Sequence, residues 1–213
     1  MPRRPPGHVT DDVAPRRTPP VGIVLAAGAG TRYGMPKALA VAPGGRAWLD
    51  GVVAALAAAG CEPILVMLGA APEAPVPAGA RARVVEDWRE GLSATVRAAL
   101  AAASGTDAAV AVIVPVDVPE LPARAVARLL TAAAGDARAR HRAVFGGRPG
   151  HPVVLGRAHW DAAARAVSGD EGAGAYLRRI GAVGVECSDL WHGRDIDHPL
   201  DDGRAPDGRA PGA

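Results

Sequence analysis

Short apolar runs that alternate with stretches of helical spacing constrain this chain more than any other feature. VGIVLAA (21–27), EPILVML (62–68) and AAVAVIVPV (108–116) are too short for buried helices and lack the polar alternation of a half-exposed strand. They predict strands buried on both faces. Between them, RAWLDGVVAALAAAG (46–60) and LSATVRAALAAAS (92–104) have helical spacing, and the first closes on a glycine stop. RARVVED (81–87) predicts a further strand and 122–134 a further helix. Beyond these, strands are expected near 142–146 and 151–155, helical stretches over 157–168 and 172–180, and a last strand over 182–187. This rhythm predicts a three-layer α/β/α fold, a mostly parallel, Rossmann-like sheet with helices on both faces. Ligands of such sheets collect beyond the carboxyl ends of the strands, so the loops 27–37, 69–80, 87–92, 115–121 and 188–197 are where a site is expected.

One domain over 21–200 accounts for the pattern. Residues 1–20, rich in Pro and charge, and 201–213, DDGRAPDGRAPGA, are expected to be loosely held tails. The formal net charge is only +2, and the arginines are scattered among acids rather than blocked. That pattern does not imply a nucleic-acid binder, and none is expected. No apolar run reaches the roughly 18 residues a membrane span needs, and the N-terminus lacks a hydrophobic signal core, so a cytoplasmic protein is expected. Cys61 and Cys187 stand far apart in apolar contexts, which argues against a disulfide framework or a metal site built on them. Asn and Gln are absent. Any nucleobase or sugar must then be read by backbone groups, hydroxyls, Arg or carboxylates.

The loop after the first strand, LAAGAGTRYGMPKA (25–38), holds the only lysine of the chain, Lys37, although arginine is abundant elsewhere. Its glycines, Gly28, Gly30 and Gly34, miss the GxGxxG spacing of a dinucleotide loop, and the GxxxxGK[ST] of a Walker loop is missing too. Pro36 discourages a helix from starting directly. What the residues allow is a glycine loop whose N–H groups wrap phosphates, with Arg32 and Lys37 to neutralise a triphosphate. After the strongest strand comes PVDVPEL (115–121), which puts Asp117 where a carboxylate can hold Mg²⁺ against phosphates, or merely cap a turn. Glu120 is assigned to the first turn of the next helix.

LAAGAGTRYGMPK resembles the loop LAxGxGxRxGxxK of the nucleotidyltransferases that include the molybdenum-cofactor cytidylyl- and guanylyltransferases and the sugar-phosphate nucleotidyltransferases. The resemblance implies a nucleotide-diphospho-sugar transferase-like fold. It implies nucleotide binding by Leu25, Ala26, Ala27, Gly28, Gly30 and Thr31, catalytic cations at Arg32 and Lys37, and a principal Mg²⁺ ligand at Asp117. WREGLSATVRAAL (88–100) is similar to the W-x-x-GLS-x-S-L-R segment of the cytidylyltransferase branch. There Gly91 would set backbone against the base, and Ser93 would bond base or ribose, or simply cap its helix. GGRPGHPVVLGRAHW (146–160) and SGDEGAGAYLRR (168–179) resemble the GRPGHPVLF and GDxGAR segments of that branch, which implies that Gly150, His151 and Pro152 face the acceptor. His151 taken alone is as well explained as a structural hydrogen bonder. Gly174 stands where the branch has Arg, so an acceptor-phosphate contact is either missing or supplied by Arg178. GRDIDHPLDD (193–202) resembles the [DN]-I-[DN]-TPEDL close of the family, and one of Asp195 and Asp197 would join Asp117 at the metal. Leu200 and His198 depart from that close.

The resemblance spans about 21–200 and implies a MobA-like, MocA-type enzyme. A nucleoside monophosphate, CMP from CTP, would pass to a phosphorylated acceptor, molybdopterin cofactor, with release of pyrophosphate. A molybdoenzyme or its chaperone would be the further partner. The alternatives are a guanylyltransferase or sugar-phosphate nucleotidyltransferase, an NAD(P)H-dependent oxidoreductase of the same fold branch, and a nucleotide-binding protein without turnover.

Overall fold

The computed structural model describes residues 18–199; the expectations for 1–17 and 201–213, and for Leu200, lie outside them. β1 (Val21–Ala26), β2 (Ile64–Leu68) and β4 (Val110–Pro115) are the three apolar runs. β3 (Ala80–Val84), β5 (Arg140–Phe145), β6 (Arg148–Gly156) and β7 (Val183–Glu186) complete one sheet of order β3-β2-β1-β4-β6-β5-β7. Successive residues of the central strands serve opposite cores, as the period of two requires. Val24, Val66, Val112 and Val114 face α1 (Trp48–Ala58) and α3 (Ala123–Ala133). Ile23, Leu65, Met67 and Ile113 face α2 (Leu92–Ser104), α4 (Trp160–Ala166) and α5 (Gly174–Arg179). Burial on both faces is why these strands read as unbroken apolar runs. Among the described residues no helix is long and apolar enough to cross a membrane.

The sheet is parallel except at β6, which runs antiparallel to both β4 and β5. The cause is local. Gly146 and Gly147, with φ of 59° and 78°, join Phe145 to its cross-strand partner Arg148 in a two-residue hairpin. Two consecutive positive φ angles give the turn whose twist matches paired strands, and glycine adopts them without a Cβ penalty. The hairpin brings residues 148–152 back toward the end of the sheet where β1 and β4 finish. His151 lies two residues beyond the Ile113–Val153 pair, level with the carboxyl end of β4.

Candidate active site

β1 and β4 are neighbours and run in parallel, Leu25 opposite Pro115, so the loops that follow them emerge side by side. Beyond them opens a cavity of about 500 Å³, lined by the 25–33 loop, Lys37, Trp88, Gly91, Thr95, Asp117, Asp170 and Asp197. The glycine loop is a compact turn rather than a helix entry. Gly30, at φ 63°, receives the Gly34 N–H on its carbonyl at 2.8 Å, and a Cβ there would sit 1.9 Å from the Met35 carbonyl oxygen. Gly28 faces open space, so a ligand can approach its backbone closely. Tyr33 packs its ring on Trp48, 5.0 Å between centroids, which ties the loop to α1. After Pro36 the chain makes only a short 3-10 turn, Lys37–Leu39, and α1 waits until Trp48.

That turn aims Lys37 at two carboxylates. Its Nζ donates to Asp117 Oδ2 and to Asp197 Oδ1, each at 3.0 Å. The residues lie 80 and 160 positions apart in sequence. The 195–197 segment is pinned there by the Ile196 N–H, which donates to the Asp117 carbonyl at 2.9 Å. Arg32 Nη1 stands 3.8 Å from Asp197 Oδ2 and is largely exposed. Asp117, Asp195 and Asp197 offer carboxylate oxygens within 4.8 Å of one another.

The electrostatics are unbalanced. Burial opposes the Lys37 ammonium, but its bonds to Asp197 and Asp117 prevail and its pKa is raised. Burial likewise pushes Asp117 upward; Lys37 pulls it down, yet with Asp195 and Asp197 also repelling it the net shift remains upward. Asp197, held by Lys37 against a smaller effect of burial, is lowered. One ammonium and one exposed guanidinium therefore do not neutralise three carboxylates. Asp117 Oδ1 is buried and has no hydrogen-bond partner. An all-oxygen donor set with an unpartnered buried carboxylate oxygen fits a hard divalent cation, Mg²⁺ or Mn²⁺.

Of the expected nucleotide residues, Leu25, Ala26, Ala27, Gly28, Gly30, Thr31 and Gly91 line the cavity, with Arg32, Lys37, Asp117 and Asp197. Ser93 does not. It is 1% exposed, its N–H donates to the Gly169 carbonyl at 3.0 Å, and its Oγ accepts from Arg97 Nη1 at 3.2 Å. It makes no capping bond either. Its backbone bond belongs to the docking of the α2 start on the 169–170 turn. Gly91, at φ 103°, makes this possible, since a Cβ there would lie 2.6 Å from both Asp170 Oδ1 and the Gly169 carbonyl oxygen.

Gly150, His151 and Pro152 are outside the cavity, on β6, at the Asp195 side of the acidic cluster. Gly150 packs under the Phe145 ring, 2.8 Å from where its Cβ would be. The His151 imidazole is pushed down to about 4, by burial first and then by Arg142, with Asp195 opposing. It is neutral at physiological pH. Glu120 precedes α3 rather than opening it, and its Oε2 meets His192 Nε2 at 3.2 Å.

Sequence reasoning passed over Tyr33, Trp88, Arg89, Thr95 and Asp170 as lining residues. All five stand inside the segments quoted above. Gly91 is where Asp170 enters the site, because the absence of a Cβ there leaves room for Asp170 Oδ1 and the Gly169 carbonyl.

Residues 22–183 match the MobA-like NTP transferase domain. The chain belongs to this family. The MobA-like domain makes it a nucleotidyltransferase enzyme by class. It is also 34% identical over 192 residues to the nicotine blue oxidoreductase of Paenarthrobacter nicotinovorans, covering 83% of this chain and 91% of that one. The crystal structure of Rv0371c from Mycobacterium tuberculosis H37Rv superposes with a TM-score of 0.71 at 24% identity, over 85% of this chain and 95% of that one. The complex of Rv0371c with manganese superposes with a TM-score of 0.64 at 24% identity, over 79% and 87% of the two chains. The fold is thus shared with this solved structure over most of the chain.

Proposed function

We propose that this protein transfers CMP from CTP to a phosphorylated acceptor, molybdopterin cofactor, and releases pyrophosphate. The observation that carries the reading is the meeting of Lys37, Asp117 and Asp197 at the mouth of a glycine-loop cavity. An acceptor phosphate oxygen attacks the α-phosphorus, the bond from that phosphorus to the bridging oxygen breaks, and pyrophosphate leaves. The nucleophile is already an anion, so no residue need act as a general base. Mg²⁺ held by Asp117, Asp195 and Asp197 would supply charge neutralisation to the phosphates. The chain's own part is positioning and electrostatics. The loop N–H groups and Thr31 seat the triphosphate, while Arg32 and Lys37 offset charge on it. Gly91 lets the α2 start pack close beside the base, and Asp170 offers a carboxylate to an exocyclic amino group. Two free, buried cysteines suit the reducing cytoplasm. The product would pass to a molybdoenzyme or its chaperone.

The 34% identity to nicotine blue oxidoreductase favours a second reading, reduction of a planar acceptor by NAD(P)H. One panel separates the two. The purified protein is given CTP, GTP and ATP in turn with Mg²⁺, with and without molybdopterin, and pyrophosphate is measured; a parallel arm follows NAD(P)H absorbance with a dye acceptor. Pyrophosphate that requires both CTP and molybdopterin is the expected result. NAD(P)H oxidation without nucleotide turnover would replace the first reading by the second.

A further inference from the structure

Asp195 and Asp197 of the acidic cluster stand on a segment without regular structure. Among the described residues no strand or helix follows β7, so both are carried by a strap, 187–197, that returns along α3 to the carboxyl end of β4. Its main chain is tied to other elements near its two ends. The Cys187 N–H donates to the Val144 carbonyl of β5, and the Ile196 N–H to the Asp117 carbonyl, each at 2.9 Å. Between these points side chains hold it, and they meet it in antiparallel order. Arg128 donates from Nη1 and Nη2 to the Asp189 carboxylate at 2.6 and 2.8 Å, and from Nη1 to the Glu186 carbonyl at 2.8 Å. Arg124 Nη2 donates to the Leu190 carbonyl at 2.9 Å, and Glu120 Oε2 meets His192 Nε2 at 3.2 Å. Arg124 and Arg128 lie one turn apart on α3 and so face the strap together.

Packing holds the strap as well. Leu190, Trp191 and Ile196 rest on the core that α1 and α3 share. Trp191 meets Phe145 edge to face, 5.6 Å between ring centroids. Gly193 takes φ 69° against the same ring, and a Cβ there would run into it. These contacts work against a repulsion, since Asp195 and Asp197 both act on Asp117 as like charges. Carboxylates that repel one another move apart unless their backbones are fixed elsewhere. Here the fixing contacts lie on α3 and at the end of β5, outside the lining of the nucleotide cavity.

We propose that Arg128, Arg124 and the Gly193–Phe145 contact are positioning residues for the metal site: by seating the 187–197 strap they set its affinity for a divalent cation without touching the ion. The proposal rests on the metal-binding part of the nucleotidyl-transfer reading. A cation that takes oxygens from the β4 loop and the strap together binds only while the strap is seated. Its apparent affinity therefore follows the seated fraction, so a variant seated about one tenth of the time binds about 10-fold more weakly. The same loss raises the metal concentration for half-maximal turnover and leaves the rate at saturating metal nearly unchanged.

The test titrates Mn²⁺ into the full chain and measures free Mn²⁺ by electron paramagnetic resonance, with thermal unfolding of each protein recorded alongside. Arg128→Met and Gly193→Ala, which release the strap from α3 and from Phe145, are each expected to weaken Mn²⁺ binding about 10-fold, and Arg124→Met about 3-fold. These variants alter different elements, so a folding defect in one leaves the others informative. Arg157→Met controls for plain destabilisation. Its Nε donates to the Ala108 carbonyl at 2.9 Å, just before β4 and at the end of the sheet away from the site. That variant should unfold at a lower temperature and keep wild-type Mn²⁺ affinity. Equal Mn²⁺ affinity in wild type and the folded strap variants overturns the proposal and leaves the metal site standing. A matching loss in Arg157→Met overturns it too, since affinity would then follow stability alone. Mn²⁺ binding that is missing from wild type, or unchanged by Asp117→Asn, removes the metal from the reading and the proposal with it. Strap-dependent Mn²⁺ binding in a protein that releases no pyrophosphate from CTP upholds the proposal and fails the nucleotidyl-transfer reading instead.

Discussion

Lys37 occupies the one position in the chain where an ammonium replaces the usual guanidinium, and the geometry gives a reason. Its Nζ fits between Asp117 Oδ2 and Asp197 Oδ1 at 3.0 Å each, with its side chain only 14% exposed. A planar guanidinium needs more room and a different donor spacing. Lys37→Arg is therefore expected to retain the charge yet lose about 10²-fold in turnover, with Lys37→Ala losing about 10³-fold; steady-state kinetics under saturating nucleotide checks both. Lys37→Ala also leaves the acidic cluster without its ammonium, so thermal unfolding should drop by the equivalent of about 1–3 kcal/mol, allowing for the partial exposure of the pair. Added Mn²⁺ should recover part of that loss, because a divalent cation replaces the missing charge. No recovery would argue against metal binding by these carboxylates. The sequence alone marked Lys37 as a phosphate contact. That it also braces two aspartates was not legible, since no spacing in the chain links position 37 to position 197.

Elements were more legible than their directions. Every strand and helix read from periodicity is present within a few residues, because strands buried on both faces leave unbroken apolar runs and the helices leave helical spacing. The antiparallel run of β6 was missed, although Gly146–Gly147 between two strands is a hairpin signal. The α2 start was legible in part, since Gly91, expected beside the base, lines the cavity. Ser93 was weighed as ligand or cap, whereas the position that shapes the site is Gly91, whose Cβ would collide with the 169–170 turn. Gly91→Ala is expected to destabilise the protein by about 1–3 kcal/mol and to raise the nucleotide KM more than it lowers kcat; chemical denaturation and kinetics on the same preparation test this. At the far edge, Glu186 ends β7 and accepts from Ser188 and from the Gly146 N–H of the hairpin. Its carboxyl is held at about 2 instead of 4.5, by the Ser188 hydroxyl and then the Ser188 backbone. A carboxyl lowered in the folded state stabilises above its unfolded pKa, and that contribution disappears as pH falls from about 4.5 through about 2. Glu186→Gln should flatten this part of the pH–stability curve, as read from urea midpoints between about pH 5 and pH 2. Equal slopes in both proteins would contradict the assignment.

Across the whole molecule, three stretches distant in sequence become chemistry only because the sheet order puts β1 beside β4 and the 195–197 segment returns to Asp117. The sheet was predictable from the chain, and the loops at its carboxyl edge followed from it. The closure of the site was not, since it depends on the Ile196 N–H bond to the Asp117 carbonyl and on Lys37 joining Asp117 to Asp197, in a stretch with no periodicity. The fold also keeps its thiols out of reach: Cys61 is buried in the α1–α3 core, and burial pushes its pKa up to about 12. Native protein at pH 8 should therefore resist alkylation by iodoacetamide at Cys61, and unfolded protein should not, a difference that mass spectrometry reads directly. The central claim, metal-dependent nucleotidyl transfer at the Lys37–Asp117 site, is tested most directly by ³¹P NMR of CTP with Mg²⁺, molybdopterin and the protein. The α-phosphorus signal should move into a new diphosphate linkage as a pyrophosphate signal grows, with no change when Mg²⁺ is withheld or Asp117→Asn is used. A static CTP spectrum with the wild-type protein, or full turnover by Asp117→Asn, would contradict it.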